Sequence, residues 1–163
     1  MDSRYDAAAY EQDFYAWTQQ QAAALRAEAA LRSDAPVDWE NVAEEIESMG
    51  RRQKREISTR LRTICHHLLK WLYCPELRES CENDWRTTLR TQREDLADEM
   101  EDSKSLYAVA VEKFLTSYER ACLDAADGAR VPLKTFPKAP PFTLEQALDP
   151  GFPAELFSPD EEA

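Results

Sequence analysis

Apolar residues recur along most of this chain at spacings of three and four residues, which is the period of an amphipathic α-helix. Stretches of strand length that alternate apolar and polar residues do not occur. The fold class is therefore predicted to be all-α. The pattern predicts four long helices, over Tyr10–Leu31, from Asp38 as N-cap to about Tyr73, over Asn83–Glu101, and from Ser103 or Ser105 to Gly128.

The second predicted helix is long because its apolar stripe continues in phase through Gly50. One helix is therefore predicted rather than two, and a bend at Gly50 is compatible with the pattern. The positions of this stripe are Val42, Ile46, Met49, Gln53, Ile57, Arg60 or Leu61, Ile64, Leu68 and Trp71.

The C-terminal part of the chain is rich in proline, since most of the nine prolines follow residue 130. The chain thus divides into a helical body over about 10–127 and a Pro-rich tail over about 129–163. Within the tail, Thr143 and Gln146 have the spacing of a capping box, which predicts a short helix over Leu144–Leu148. Four aromatic residues make the tail apolar enough to pack across the helices, namely Phe136, Phe142, Phe152 and Phe157.

Four amphipathic helices with short connections pack most simply as an antiparallel four-helix bundle. The length of 163 residues fits one domain, so residues 1–163 are predicted to form a single helical domain. In this arrangement a basic run on the second helix faces an acidic run on the third, which predicts an interhelical ion-pair lattice. The basic residues are Lys54, Arg55, Arg60 and Arg62, and the acidic ones are Glu94, Asp95, Asp98, Glu99, Glu101 and Asp102.

The chain carries 20 basic and 32 acidic residues, a formal net charge of −12. This balance disfavours nucleic acid and anionic membrane as partners, because both attract an excess of Lys and Arg. Neither a spanning segment nor a signal peptide is predicted, so the expected location is the cytoplasm. If the protein has a macromolecular partner, the charge favours a basic protein.

Motifs that carry chemistry are scarce in this sequence. The four cysteines, Cys65, Cys74, Cys81 and Cys122, lack the C-x-x-C spacing of zinc and redox sites. Neither a P-loop, nor G-x-S-x-G, nor H-E-x-x-H occurs. No cofactor and no metal site are predicted, with Glu44 and Glu47 as the weak candidates for a metal, and the sequence points away from an enzyme.

A polar line runs beside the apolar stripe of the second predicted helix, made of Glu56, Arg60, Thr63 and His67. Arg60 lies near the centre of the predicted buried face, and a buried guanidinium needs partners, of which Glu56 is the nearest along the helix. His67 is predicted to point inward and His66 to point to solvent. Antiparallel pairing with the neighbouring helices completes a candidate binding pocket of Asp13, Glu56, Arg60, His67, Gln92 and Arg93.

Such a group of polar residues has two interpretations. A hydrogen-bonded polar layer in a helical core specifies the register of the helices. The same imidazole, guanidinium and carboxylate groups can also bind an anion or perform acid–base chemistry. The sequence leaves both interpretations open.

An ordered set of local motifs runs from about Tyr10 to Pro153. In chain order the motifs are Asp13-Phe14-x-x-Trp17, Glu44-Glu45-Ile46-Glu47-Ser48-Met49-Gly50, His67-Leu68-Leu69-Lys70-Trp71, Trp85 with Gln92-Arg93, Ser105-Leu106, Phe136-Pro137 and Leu144-Glu145-Gln146-x-Leu148-Asp149. This set resembles the bacterial family known as domain of unknown function 29. The resemblance implies one small helical domain, with no established activity, cofactor or catalytic residue to transfer. The matched polar positions include Asp13, His67, Lys70 and Arg93.

The chain departs from the family pattern at three places. Asp84 stands where the family has Ser, Lys104 where it has Pro, and Pro140-Pro141-Phe142 where it has a Cys-Pro-aromatic step. The tail thiol of the family is thus missing here, which argues against metal or redox chemistry at that position.

Two functions are compatible with these observations. The first is a soluble bacterial helical module for protein interaction or regulation, acting through an acidic surface. The alternative is a small-ligand-binding protein, or an enzyme of the metal-dependent hydrolase type, that uses the buried polar pocket. The sequence makes no prediction of oligomeric state.

Overall fold

A computed structural model describes residues 7–31 and 34–157 of the chain. The described residues form helices and connecting turns, without a named β-strand, so the all-α class is confirmed. The helices are α1 (Ala7–Gln12), α2 (Phe14–Leu31), α3 (Trp39–Tyr73), α4 (Arg78–Asp102), α5 (Leu106–Ala129), α6 (Leu144–Leu148) and α7 (Ala154–Phe157), with 3₁₀ turns at Pro75–Leu77 and Leu133–Thr135.

The first predicted helix, Tyr10–Leu31, is divided at Asp13 into α1 and α2, so the prediction of one helix was wrong here. The other long helices follow the sequence pattern closely, with a clear difference at α4. This helix begins at Arg78 rather than at the predicted Asn83, because the 3₁₀ turn that starts at Pro75 leads directly into it. Proline suits the first position of a helical turn, since it has no N–H to leave unpaired. The residues between Arg78 and the predicted start are mostly polar, so the spacing of apolar residues did not reveal that they belong to the helix.

The described part of the chain divides into two compact units. Unit 1 comprises residues 1–56 and 98–109, and unit 2 comprises residues 57–97 and 110–163. Helices α3, α4 and α5 each supply residues to both units.

In unit 1, the buried face of α3 differs from the predicted stripe. Val42 and Met49 are 41% and 38% exposed, whereas Ala43 and Gly50 are buried. The reason is the close approach of α2: a Cβ atom added to Gly50 would lie 2.4 Å from Oγ1 of Thr18, which is itself fully buried. Small residues therefore face inward here, and the larger apolar side chains lie at the margin.

In unit 2 the predicted stripe is correct. Ile57, Leu61, Ile64 and Leu68 of α3 are fully buried. They share the core with Trp71, Trp85, Leu89, Leu96, Tyr118, Phe136, Phe142, Leu144 and Leu156.

The Pro-rich tail packs on α4 and α5 within unit 2. The Tyr118 hydroxyl donates to the Pro137 carbonyl at 2.6 Å, and the Nε of Arg86 donates to the Leu156 carbonyl at 2.8 Å. The predicted capping box is present, because the Thr143 hydroxyl accepts from Gln146 N while the Gln146 side chain accepts from Thr143 N. The tail also contains α7 and a 3₁₀ turn, which were not predicted.

Within the described ranges, none of the helices has both the length and the apolar character that crossing a membrane requires.

Candidate functional site

Arg60 of α3 lies in unit 2 and is largely buried, with 18% of its side chain exposed. Its Nη1 atom donates to Oδ2 of Asp95 at 2.7 Å and lies 3.5 Å from Oε1 of Gln92. Two of the predicted pocket residues, Arg60 and Gln92, are therefore brought together. The Arg60–Asp95 pair also belongs to the predicted ion-pair lattice between the second and third long helices.

Arg62 also belongs to the predicted lattice, but its ion-pair partner lies on α5 rather than on α4. Its Nε and Nη2 atoms bind the two carboxylate oxygens of Asp124 in α5, at 2.5 and 2.6 Å. This bidentate pair raises the pKa of Arg62 and lowers that of Asp124. The sequence prediction was wrong for this residue, because two positions along a helix turn the side chain by about 200° toward a different neighbour.

Arg93 of α4 is the most deeply buried charged side chain of the predicted pocket, at 4% exposure. Its Nε donates to the Ala147 carbonyl near the C-terminal end of α6 at 2.8 Å, and its guanidinium lies 5.3 Å from the ring centre of Phe157. Both Nη atoms are buried with no hydrogen-bond partner among the described residues. Burial lowers the pKa of Arg93 to about 10, so the group is still a cation at neutral pH.

His67 and His66 are neighbours, with ring centres 4.9 Å apart. Both are partly buried, so the prediction that His66 points to solvent was wrong. Burial, His66 and Lys70 together lower the pKa of His67 to about 4, and its Nδ1 atom is buried without a partner among the described residues. An imidazole with so low a pKa is neutral and only weakly basic at pH 7, which disfavours general acid–base catalysis by His67.

Lys70 is a charged residue near these two histidines, and its charge contributes to lowering the pKa of both. Its Nζ atom lies 5.2 Å from the centre of the Trp85 ring, a cation–π contact, and 3.9 Å from the position of a Cβ atom added to Gly128 near the end of α5. A lysine near the C-terminal end of a helix is favoured by the helix dipole. The Lys70 match to the family pattern thus has a structural explanation.

Asp13 belongs to unit 1 and binds the start of another helix. Its Oδ2 accepts from the backbone N of Ser105 at 2.8 Å and its Oδ1 from the Ser105 hydroxyl at 2.7 Å. Oδ1 also accepts from Ala16 N at 2.9 Å, as the side chain of an N-cap residue does. The Asp13 carboxylate therefore caps α2 and anchors the first residue before α5.

The segment before α5 in turn binds the start of α2. Ser103, which is fully buried, accepts from Tyr15 N at 3.3 Å through its hydroxyl, and its backbone forms a bridge with that of Asp13. Helical hydrogen bonds continue through Asp13, from its N to the Ala9 carbonyl and from Trp17 N to its own carbonyl. We call the group formed by Asp13, Ser103 and Ser105 the capping junction. It explains physically why an Asp and a Ser-Leu pair occur together in this chain.

Glu56, the last predicted pocket residue, is exposed. The weak metal candidates Glu44 and Glu47 bind arginines: Nη2 of Arg26 lies 2.7 Å from Glu47 and 3.4 Å from Glu44, and Arg51 lies 2.5 Å from Glu44. Across residues 7–31 and 34–157, no three His, Cys, Asp or Glu side chains form a set that could hold a metal ion.

An acidic cleft of about 470 Å³ lies beside the capping junction in unit 1. The sequence did not predict it, because its two walls are about 90 residues apart in the chain. Its lining residues are Glu11, Gln12, Asp13, Glu101, Asp102 and Lys104.

The model of the family "domain of unknown function DUF29" matches residues 9–153 of the chain. The chain belongs to this family. Among solved structures, it is similar to an alpha-helical protein of unknown function from Rhodospirillum rubrum, with 28% sequence identity and a TM-score of 0.73. The match covers 91% of this chain and 94% of the other. The comparison with curated proteins gave no match. The DUF29 chain is thus a helical protein without an established activity.

Proposed function

We propose that this DUF29 chain is a bacterial cytoplasmic interaction module that binds a basic protein through the acidic cleft of unit 1. The observation that supports this most directly is the surplus of negative charge in the cleft. Glu11, Glu101 and Asp102 are exposed there and have no ion-pair partner among the described residues. Lys104 is the one cationic residue among those that line the cleft.

The composition of unit 1 adds to this local charge, since its sequence contains twice as many acidic as basic residues. Such a field steers a cationic partner toward the cleft and repels nucleic acid and anionic lipid surfaces. The proposal accordingly includes neither nucleic acid nor membrane as partner. It also retains the single domain and the antiparallel four-helix arrangement expected from the sequence.

The test is affinity capture from an extract of the host bacterium, with identification of the bound polypeptides and a repeat of the binding with the purified candidate. The wild-type chain is expected to bind a basic polypeptide at low salt, with an affinity that falls steeply as salt screens the charges. The triple variant Glu11→Gln, Glu101→Gln, Asp102→Asn is expected to lose this binding.

A matched control separates the cleft from net charge. The variant Glu79→Gln, Asp84→Asn, Glu155→Gln removes three exposed acidic residues from unit 2 and changes the net charge equally. It is expected to bind like the wild type. Equal loss in both triple variants, or binding that is insensitive to salt, would contradict the proposal, as would the absence of any basic polypeptide.

A second candidate function is the binding of a small anion in unit 2. The observation in its favour is the pair of buried, unpartnered Nη atoms of Arg93, together with the unpartnered Nδ1 of His67. Buried donors without partners are costly, and a bound anion or water relieves that cost. This candidate retains Arg60, His67, Gln92 and Arg93 from the predicted pocket, while the carboxylate of Asp13 is already used in the capping junction.

Native mass spectrometry of gently purified protein tests this second candidate. A small anion should be bound to the wild type and absent from Arg93→Met, which keeps a long apolar side chain at the same place. The anion site at Arg93 would be excluded if the wild-type chain showed no added mass from a bound anion. It would also be excluded if Arg93→Met kept the same added mass.

A further inference from the structure

A second concave surface lies in unit 2, between α5 and the tail. This tail groove has a volume of about 620 Å³, with one wall formed by residues 118–123 of α5 and the other by residues 133–138 of the tail. It shares no residue with the acidic cleft or with Arg93. Its volume is in the range of about 300–1,000 Å³ that is typical of small-molecule sites.

The floor of the groove is held in place by contacts of its own. The Tyr118 hydroxyl binds the Pro137 carbonyl at 2.6 Å, and Phe136 packs edge-on against Tyr73 with ring centres 6.0 Å apart. Cys122 is buried, and burial raises the pKa of its thiol, so that the thiol is neutral at pH 7. The groove is therefore preformed and has an apolar floor, which reduces the conformational cost of binding a ligand.

Large apolar side chains are exposed on both walls. Leu123 on the helix wall is 53% exposed and Leu133 on the tail wall is 50% exposed. Exposed apolar surface that is contiguous and concave is a common sign of a binding site. A ligand with an apolar chain would remove both leucines from water.

The charges around the groove specify the other end of such a ligand. Lys134 and Lys138 are exposed on the tail wall, four residues apart in sequence, and neither has an ion-pair or hydrogen-bond partner among the residues that the structure describes. One carboxylate, Glu119, lies on the opposite wall. Two unpaired cations on one wall favour an anionic head group.

We propose that the tail groove binds a small amphipathic carboxylate, with its apolar chain against Leu123 and Leu133 and its carboxylate at Lys134 and Lys138. The net charge of −12 favours a small monovalent anion over an acidic protein or an anionic membrane, because long-range repulsion grows with the charge of the partner. Nine residues line the groove, which is fewer than the roughly 20–30 residues per side of a standard protein–protein interface.

Titration of the full chain with dansyl-labelled undecanoic acid tests the proposal. Binding in the groove should shift the dansyl emission to the blue and increase it, and unlabelled decanoate should reverse the change. The variant Lys134→Gln, Lys138→Gln should weaken binding about tenfold. The matched control Lys54→Gln, Lys113→Gln removes two lysines that line neither the groove nor the acidic cleft, and it should bind like the wild type.

Three further measurements separate this site from general hydrophobic binding. Glu119→Gln should tighten the binding of the probe, since it removes the one repulsive charge of the lining. Leu123→Asp, a change at an exposed position, should weaken it. Competition by decanol should be equally effective against the wild type and the Lys134/Lys138 variant, because decanol has no carboxylate.

The proposal would be overturned by a wild-type chain that leaves the dansyl emission unchanged, or by equal weakening in the two lysine double variants. A decanol competition that depends on Lys134 and Lys138 would also contradict it. None of these results bears on the acidic cleft, because the groove and the cleft belong to different units.

Discussion

At the capping junction of unit 1 the buried polar groups bind one another, whereas in unit 2 both Nη atoms of Arg93 are buried without a partner among the described residues. Asp13 and Arg93 both match polar positions of the DUF29 pattern, and both were predicted to belong to one pocket. Their surroundings nevertheless differ: each carboxylate oxygen of Asp13 accepts a hydrogen bond, while the guanidinium of Arg93 uses only its Nε.

A polar residue that matches the family pattern therefore does not by itself indicate a binding site. A polar group whose hydrogen bonds are satisfied within the chain stabilises the fold and has little capacity left for a ligand. A buried cation with free donors costs free energy, and it is the better candidate for an unassigned role. Four predictions, made for Asp13, Gly50, His67 and Arg93, follow from this comparison.

The largest effect is expected at Asp13. Asp13→Ala removes the cap of α2 and the anchor of α5 together, so the free energy of unfolding should fall by about 3 kcal/mol. Asp13→Asn should lose roughly half as much, because an amide oxygen can replace Oδ1 but the amide nitrogen cannot accept from Ser105 N. Urea denaturation measures both, with the exposed Asp102→Ala as control. A loss in Asp13→Ala no larger than in that control would show that the junction is not structural.

The next effect is expected where α2 and α3 approach each other. Gly50→Ala places a methyl group 2.4 Å from Oγ1 of Thr18, and overpacking of this kind should cost about 2 kcal/mol despite the higher helix propensity of alanine. Thr18→Ala removes the clashing oxygen, so the double variant should recover stability in a double-mutant cycle. Additive effects of the two substitutions would mean that unit 1 has room at this contact.

His67 should show an effect that depends on pH. The folded chain protonates His67 near pH 4, whereas the unfolded value is 6.5, so the unfolded state takes up the proton first as the pH falls. The stability associated with neutral His67 is thus complete above pH 6.5 and is lost between 6.5 and 4, by roughly 1.4 kcal/mol for each pH unit.

His67→Leu removes both this titration and the unpartnered Nδ1. The difference in unfolding free energy between His67→Leu and the wild type, measured by urea denaturation at several pH values, should therefore move in favour of the variant as the pH falls. A difference that stays constant between pH 6.5 and 4 would show that His67 is accessible to protons in the folded chain.

The smallest effect is expected for Arg93→Met. The substitution loses the bond to the Ala147 carbonyl and the contact with Phe157, but it also removes two buried donors without partners, so stability should change by about 1 kcal/mol or less. Arg93→Ala should be clearly less stable than Arg93→Met, because it also leaves a cavity. Arg93→Met could instead lower the free energy of unfolding as much as Asp13→Ala does. Arg93 would then have partners that offset its burial, and the contrast between Asp13 and Arg93 would not hold.

Much of the fold was predictable from the sequence, because helix periodicity and capping are local. The stripe from Ile57 to Trp71 and the Thr143–Gln146 capping box were both read correctly from spacing alone. The burial of Val42 and Met49 was predicted wrongly, since the orientation of that part of α3 depends on how closely α2 approaches it.

The candidate site was less predictable, because its contacts also depend on how the helices approach one another. Nη1 of Arg60 and Oε1 of Gln92 lie 3.5 Å apart, because the pairing of two long helices follows from their short connection. The role of Asp13 in anchoring Ser105 could not be predicted, since these two residues are 92 positions apart in the chain. Arg62 was assigned to the wrong neighbour, because the sequence does not say which of two adjacent helices a side chain at the edge of the buried face will meet.

The long helices, the short capped helix of the tail and the acidic character of the chain follow from the amino-acid sequence, since each depends on residue type and short spacing. Tertiary packing establishes which polar groups find partners. It satisfied Asp13 at the junction of two helix starts, left donors of Arg93 unpaired under the tail, and formed the cleft and the groove from segments distant in the chain. Hydrogen bonding and burial are properties of the folded arrangement, so a polar residue acquires its role only when its neighbours are in place.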